Sequence, residues 1–204
     1  MSRDTDTINA EHFGILSEIG NIGAGSAVTA LSKVLGTKVD MKVPKVMLLE
    51  FKDTASVLGP AEELIFGIMV ELSGDIDGLM MFLVKTEPAK ILMRVLTQAE
   101  VVGEEFSEME LSALQEIGNI LSSSYLNALS TLIGKSVVPS VPYLAKDMAG
   151  AILSVPTIEF GKIADKVLFI ESVFGTDDEN VSGYFILVPD LRSFNVISAG
   201  LGVI

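Results

Sequence analysis

The sequence predicts an α+β fold in which long helices pack on a largely antiparallel β-sheet and a pseudo-two-fold axis relates two halves. Three observations support this prediction: an internal repeat, a helix at the start of each copy, and a pair of strand-like runs in each copy. Helices combined with neighbouring hairpins are typical of the α+β class. We expect residues 1–204 to form one domain made of two repeats, at about 9–99 and 107–204.

The repeat is clearest in the first helical segment of each copy. Residues 16–44, LSEIGNIGAGSAVTALSKVLGTKVDMKVP, align without gaps with residues 114–142, LQEIGNILSSSYLNALSTLIGKSVVPSVP. The offset is 98 residues and 14 of the 29 positions are identical, whereas ordinary residue usage would give about two by chance. An internal duplication therefore organises the chain.

Each copy is predicted to begin with a long helix. Asn9 and Ser107 occupy equivalent places before these helices, and both residue types are good N-caps. Glu110 follows Ser107 by three residues and completes a capping box. At about 100° per residue, the apolar residues of the first helix form one broad face, which we expect to be buried: Ile15, Leu16, Ile19, Ile22, Ala27, Ala30, Leu31 and Val34.

The opposite face of each helix carries a stripe of small residues around a single glutamate. In the first copy the stripe is Gly14, Glu18, Asn21, Gly25 and Ser32; in the second it is Ser112, Glu116, Asn119, Ser123 and Ser130. The first helix also contains Gly20 and Gly23, and each helical glycine costs about 1 kcal/mol relative to alanine. Close approach of another surface would explain that cost. The stripe either packs on another element of the chain, with buried glutamates that need partners, or forms an exposed docking face.

Each copy continues with two strand-like apolar runs and a second helix. The runs in each copy are separated by turn-like segments, which predicts antiparallel hairpins. They span 63–72 with 78–84, and 166–174 with 183–188, and the second helices are predicted at about 87–98 and 190–200. Pro44 and Pro142 lie in other strand-like segments. Because proline has no N–H to donate, we expect edge or bulged positions for both, with a structural role favoured over a catalytic one.

Composition excludes several classes of function. The net charge is −13, which argues against binding to nucleic acid or to an anionic membrane surface. No apolar run reaches the roughly 18 residues of a membrane span, and the polar N-terminus lacks a signal-peptide core. The chain has no cysteine and a single histidine, His12, so the usual zinc sites are absent. We expect a cytoplasmic protein without a metal or cofactor of its own.

The paired glutamate and asparagine suggest a specific kind of chemistry. Asn21 follows Glu18, and Asn119 follows Glu116, at the third position along the chain, which places each pair side by side on a helix. An amide can hold a water molecule, as a carboxamide does for the attacking water in GTPases. An exposed glutamate, with a reference pKa of about 4.3, is a poor base at neutral pH and is better suited to pairing with a partner's cation. These residues therefore suggest a protein that completes another protein's active site.

The repeated motif resembles that of the CheC family of chemotaxis phosphatases, part of the CheC/CheX/FliY group. That motif is Asp or Ser, three residues, Glu, two residues, Asn, twenty-two residues and Pro. The second copy matches with Ser112, Glu116, Asn119 and Pro142. The first copy matches with Glu18, Asn21 and Pro44, but Gly14 stands where Asp or Ser is expected. The resemblance covers nearly the whole chain, including its duplication.

The resemblance implies that the substrate is the phospho-aspartate of the response regulator CheY. The regulator would supply Mg²⁺ and most of the catalytic groups, while the asparagines position the attacking water and the glutamates pair with a cation on the regulator. CheC proteins are also associated with the receptor deamidase CheD. The segment around Asp147 and Met148 resembles the region used for that docking, although an ordinary loop-to-helix segment with an Asp cap fits the same residues.

An alternative function also fits this family, and the group contains more than one type of protein. A non-catalytic adaptor that binds CheD or a response regulator would also fit this family, but two intact Glu/Asn pairs favour catalysis. The sequence ends at Ile204, shortly after the second repeat, without the motor-binding domain of the FliY type. A soluble phosphatase is therefore expected rather than a flagellar switch component.

Overall fold

A computed structural model describes residues 10–36, 38–97, 105–160, 166–175 and 180–202. In these ranges the helices are α1 (Ala10–Leu35), α2 (Thr54–Leu58), α3 (Thr86–Thr97), α4 (Glu108–Ile133), α5 (Ala149–Phe160) and α6 (Leu191–Gly200). The strands are β1 (Asp40–Glu50), β2 (Leu64–Gly74), β3 (Gly78–Lys85), β4 (Val137–Pro139), β5 (Tyr143–Met148), β6 (Lys166–Gly175) and β7 (Asn180–Pro189). The two long helices, both hairpins and both second helices agree with the predicted elements.

Local sequence determines where α4 begins. The Ser107 hydroxyl accepts a hydrogen bond from the Glu110 N–H at 3.3 Å, and the Glu110 carboxylate accepts one from the Ser107 N–H at 2.6 Å. The predicted capping box is therefore confirmed. Hydrogen bonds from the Ser107 backbone and hydroxyl lower the pKa of the Glu110 carboxyl. The equivalent cap expected at Asn9 lies outside the described residues.

All strands belong to one antiparallel sheet with the order β1-β6-β7-β3-β2, and β4 and β5 both pair with β2. The two copies exchange strands in this sheet. β1 of the first copy pairs with β6 of the second, while β5 of the second pairs with β2 of the first. The β3–β7 pair joins the copies at the centre, where Phe82 lies opposite Phe185. This arrangement has the pseudo-two-fold symmetry that the repeat predicted.

Both faces of the sheet are covered, so the protein has three layers. In β3 the side chains alternate: Met80, Phe82 and Val84 face the core formed with α1, α3, α4 and α6. Leu79, Met81 and Leu83 face a second core formed with α2 and α5. Burial on both faces explains why these antiparallel strands are almost continuously apolar. The sequence did not predict α2, and it suggested α5 only as a possible helix after Asp147.

Helices α1 and α4 pack closely because glycine replaces a side chain at their contact. A Cβ atom on Gly23 would overlap the ring of Tyr125. Tyr125 is held on its other side by Phe185, with ring centroids 4.6 Å apart, and by a 2.9 Å hydrogen bond between its hydroxyl and that of Ser172. Burial raises the pKa of the Tyr125 hydroxyl to about 12. Close approach therefore explains Gly23, and the approaching surface belongs to the same chain.

Part of the predicted apolar face of α1, the side chains of Ile15, Leu16 and Ile19, lies outside the described residues, and the rest is only partly buried. Ala27 and Leu31 lie fully in the core, as expected. Ile22 and Val34 do not, because 38% and 63% of their surfaces remain exposed. The buried surface of α1 instead passes through Gly20, Gly23 and Ala24. The prediction was wrong for Ile22 and Val34 because α4 packs against the glycine side of α1.

The two motif prolines occupy irregular positions at the two edges of the sheet. Pro44 lies in the edge strand β1, where the pairing with β6 shifts between Lys42 and Lys45. Its predicted edge or bulged position is confirmed. Pro142 lies in the break between β4 and β5, and not in a strand. At this break the Ser140 hydroxyl accepts a 3.0 Å hydrogen bond from the Glu71 N–H of β2.

Gly23→Ala should destabilise the fold. The added methyl would collide with the buried ring of Tyr125, and overpacking of this kind costs about 1–3 kcal/mol. Gly25→Ala is the matched control, because a Cβ there meets no atom within 4 Å. Helix propensity predicts that this control raises the free energy of unfolding by about 1 kcal/mol. Chemical denaturation of both variants measures the difference, and equal stabilities would contradict the assigned contact.

Candidate functional site

The two Glu/Asn pairs lie outside the core, on the two helices that pack against each other. Glu18 and Asn21 are exposed on α1. Glu116 is exposed on α4, one turn after the exposed Ser112, and Asn119 is partly buried. The alternative in which the stripe packs inside the chain required buried glutamates, and neither glutamate is buried.

Helix periodicity explains why these side chains project outward. On α4, Leu114, Ile117 and Leu121 are buried against the sheet. Glu116 and Asn119 fall between these positions in the helical repeat, so they lie away from the centre of that buried face. In the described part of the chain, no salt bridge joins Glu18 or Glu116 to a basic residue. Both carboxylates are therefore available to a partner's cation.

Two contacts fix α4 against the sheet beside this site. A Cβ on Gly118 would lie 2.9 Å from three carbon atoms of Ile68, so glycine allows the helix to approach β2 closely. The Gln115 amide donates a 2.7 Å hydrogen bond to the Pro142 carbonyl. Pro142 therefore contacts the residue that precedes Glu116 in the sequence. The sequence did not identify Gln115 as part of the site, although Gln115 lies between the motif residues Ser112 and Glu116.

The surfaces beside the two asparagines differ. Next to Asn21, a shallow groove runs along α1 and is lined by Asn21, Ile22, Gly25, Ser26, Thr29, Ala30 and Lys33. On α4, the positions equivalent to Ser26 and Ala30 are Ser124 and Ala128, and both are buried. The first site is therefore more open than the second, which the sequence comparison did not indicate.

Asp147 and Met148 lie at the end of β5, directly before α5. Asp147 is opposite Ile65 of β2, and its carboxylate accepts a 2.7 Å hydrogen bond from the Met148 N–H. Both residues are exposed. The segment is thus a strand-to-helix junction, where the sequence had suggested a loop-to-helix segment.

The described residues show neither a metal-binding cluster nor a membrane-spanning helix. None of the His, Asp and Glu side chains in those ranges form a group that could hold a metal ion. The helices in the same ranges include none that is long and apolar enough to cross a membrane.

Comparison with known proteins identifies the family. Residues 15–48 and 109–144 match the model of the CheC-like family, and each match contains one Glu/Asn pair and one motif proline. The CheY-P phosphatase CheC of Bacillus subtilis (strain 168) is 34% identical over 202 residues, covering 96% of both chains. The chain belongs to the CheC-like family. The family expected from the repeated motif is confirmed.

One further relative and one solved structure are also similar to this chain. The putative CheY-P phosphatase CheC1 of Halobacterium salinarum is 23% identical over 188 residues, which is 92% of this CheC-like chain and 94% of the relative. The crystal structure of Thermotoga maritima FliY superposes with a TM-score of 0.72 at 22% identity, covering 97% of this chain and 99% of that one. The second comparison confirms the α+β fold.

Proposed function

We propose that this CheC-like protein hydrolyses the aspartyl phosphate of the response regulator CheY. The observation that carries the proposal is the Glu/Asn pair that occurs twice and projects from α1 and α4 outside the core. The name of the Bacillus subtilis relative, CheY-P phosphatase CheC, agrees with this reaction. The geometry fits a surface that docks on a phosphorylated partner and contributes side chains to that partner's active site.

In the proposed reaction the asparagine amide orients the attacking water. The carboxamide both donates and accepts hydrogen bonds, so it can hold a water molecule in one direction. The water oxygen forms a bond to phosphorus while the aspartyl oxygen–phosphorus bond breaks, which releases inorganic phosphate and restores the regulator's carboxylate. Mg²⁺ and the remaining catalytic groups come from the regulator. Positioning is the main contribution of this chain, as expected for phosphoryl transfer.

Rigid support of α4 makes such positioning possible. The helix is tied to the β4–β5 break by Gln115, to β2 through Gly118, and to β6 through the hydrogen bond between Tyr125 and Ser172. These contacts lie before and after Asn119 along the helix. A catalytic amide held by such a framework loses little orientational freedom when the partner docks.

The docking role belongs to the glutamates. Glu18 and Glu116 lie one turn before the amides and are exposed. A cation on the regulator that pairs with such a carboxylate would fix the distance between the amide and the phosphoryl group. Desolvation at the interface would strengthen this charge pair.

Asn119→Ala should reduce phosphatase activity more than Asn21→Ala. Ser112 completes the motif beside Glu116, whereas the first copy has Gly14 at the equivalent position. We expect a loss of roughly tenfold or more for Asn119→Ala, and no measurable activity for the double variant, as followed by phosphate release from phosphorylated CheY. Asn127→Ala is the control, because Asn127 is an exposed asparagine on α4 outside the motif. Equal losses of activity in the two single variants would show that the residue at Gly14 does not matter. Activity in the double variant would show that the amides take no part in the mechanism.

Glu116→Gln should lower phosphatase efficiency by roughly tenfold or more, because it keeps the shape and removes the charge. The measurement uses an Asn21→Ala background, so that only the α4 site acts. Rising ionic strength should reduce the parent's activity more than that of Glu116→Gln, since salt screens only an attraction that exists. Glu108→Gln, at another exposed glutamate of α4, controls for the change in net charge. Full activity of Glu116→Gln at low salt would contradict a docking role.

We also propose that CheD docks at the end of β5. Met148 exposes 45% of its surface beside the exposed Asp147, at the outer edge of the sheet. An exposed methionine next to a carboxylate offers a partner both apolar contact and a hydrogen-bond acceptor. This surface would act separately from the Glu/Asn pairs, so an adaptor role and catalysis could coexist in one chain.

Met148→Ala should weaken CheD binding by about tenfold, because an exposed apolar contact at an interface centre is worth roughly 1–2 kcal/mol. Isothermal titration of CheD into each variant measures the affinity. Met109→Ala provides the comparison, since Met109 is exposed on α4. Unchanged affinity in Met148→Ala would place CheD elsewhere on the surface.

A further inference from the structure

The surface that forms the groove beside Asn21 differs from the equivalent surface of the second copy. Gly25, Ser26, Thr29 and Lys33 are all exposed along it. In the second copy, Ser123 is partly buried, and Ser124 and Ala128 are buried. The duplicated helices therefore present different surfaces beyond their asparagines.

Gly25 has no role inside the fold that requires glycine. It lies in the middle of α1, where glycine costs about 1 kcal/mol relative to alanine. A Cβ at this position meets no atom within 4 Å, in contrast with Gly23 and Gly118, whose Cβ atoms would collide with neighbours. Gly25 also lies one turn after Asn21, and the two residues line the same groove. Its lack of a side chain leaves room for a partner next to the proposed catalytic amide.

Lys33 adds a positive charge at the far end of the groove. It is exposed, and no salt bridge connects it to the residues that the structure describes. Lys33 is twelve positions after Asn21, which corresponds to about 18 Å along a helix. The equivalent residue of α4 is the neutral Thr131. In a chain with a net charge of −13, an unpaired lysine is a local site of attraction for an acidic surface.

We propose that Gly25 and Lys33 determine which phosphorylated regulator surface the α1 site accepts, and that the α4 site accepts a different one. The inference rests on the proposed phosphatase function and extends it to specificity. At the α1 site the regulator places backbone or small side chains over Gly25 and a carboxylate near Lys33, about 18 Å from its phospho-aspartate. The α4 site provides neither the open groove nor the cation. Asn21, the proposed catalytic amide, itself lines the groove. A regulator that docks at Asn21 would therefore also cover the groove, which makes the regulator its expected occupant.

Because the chain has two sites, each site can be measured alone and the other can serve as its control. In an Asn119→Ala background only the α1 site acts, and in an Asn21→Ala background only the α4 site acts. Gly25→Leu and Lys33→Thr are introduced into each background, and Thr131→Lys into the second. Initial rates with purified phosphorylated CheY then give KM and kcat for each site across ionic strength.

For the α1 site, we expect Gly25→Leu to raise KM about tenfold with little change in kcat, because it obstructs docking and leaves Asn21 intact. Lys33→Thr should raise KM about threefold at low salt, with the difference disappearing at high salt. Thermal unfolding should show Gly25→Leu to be at least as stable as its parent, since leucine favours a helix more than glycine does. In the Asn21→Ala background, the first two substitutions should leave the α4 kinetics unchanged.

Several results would overturn the inference. If Gly25→Leu and Lys33→Thr both leave the KM of the α1 site unchanged from its parent, the regulator does not use the groove. If the substitutions raise KM equally in both backgrounds, they act on the two sites through the fold and not through contact with the regulator in the groove. If the Asn119→Ala protein keeps its activity after Asn21→Ala is added, or has no activity at all, the proposed role of Asn21 fails and the specificity inference fails with it.

Discussion

β1 of the first copy forms its ladder with β6 of the second, and β5 of the second copy forms its ladder with β2 of the first. Separating the copies would break both ladders and leave their backbone N–H and C=O groups without partners. The central β3–β7 pairing would be lost as well. We therefore propose that the two repeats fold together as one domain. The exchange also places the long helix of each copy on the same face of one sheet, where α1 and α4 meet.

The packing of α1 on α4, and of α4 on β2, depends on small residues facing large ones. Gly23 accommodates the ring of Tyr125, and Gly118 accommodates Ile68. Tyr125 then reaches Ser172 on β6, so one side chain links both long helices to the sheet. The helices cannot rotate freely in this arrangement, because a rotation would drive side chains into these contacts. The outward direction of Glu18, Asn21, Glu116 and Asn119 follows from this packing as much as from helix periodicity.

In the proposed mechanism, a site built in this way needs a partner to become catalytic. The exposed glutamates and amides would contribute docking and water orientation, which have value only when a phosphoryl group lies nearby. The duplication provides two such surfaces, and the surroundings of the two amides have diverged. The groove that ends at Lys33 exists beside Asn21, whereas Asn119 is partly buried and tied to a more enclosed helix. Two sites on one fold can therefore differ in the partner surface that each accepts.

The sequence by itself determined the features that depend on neighbouring residues. The capping box at Ser107, both hairpins, the second helices and the duplication follow from local patterns, and so does the pairing of each glutamate with an asparagine. Pro44 could be assigned to an edge or bulge because a missing N–H is a local property. These features were predictable since each depends on residues within a few turns or on direct comparison of the copies.

Only the tertiary structure decided which surfaces are covered. Periodicity placed Ile22 and Val34 on an apolar face, but α4 packs against the glycine side of α1 and leaves both exposed. The exchange of strands, the layer formed by α2 and α5, and the hydrogen bond from Gln115 to Pro142 all join residues far apart in the chain. The same holds for the difference between Gly23 and Gly25, two glycines of one helix that the sequence cannot distinguish. One lies beneath Tyr125 and the other faces open space, because burial depends on which element packs there.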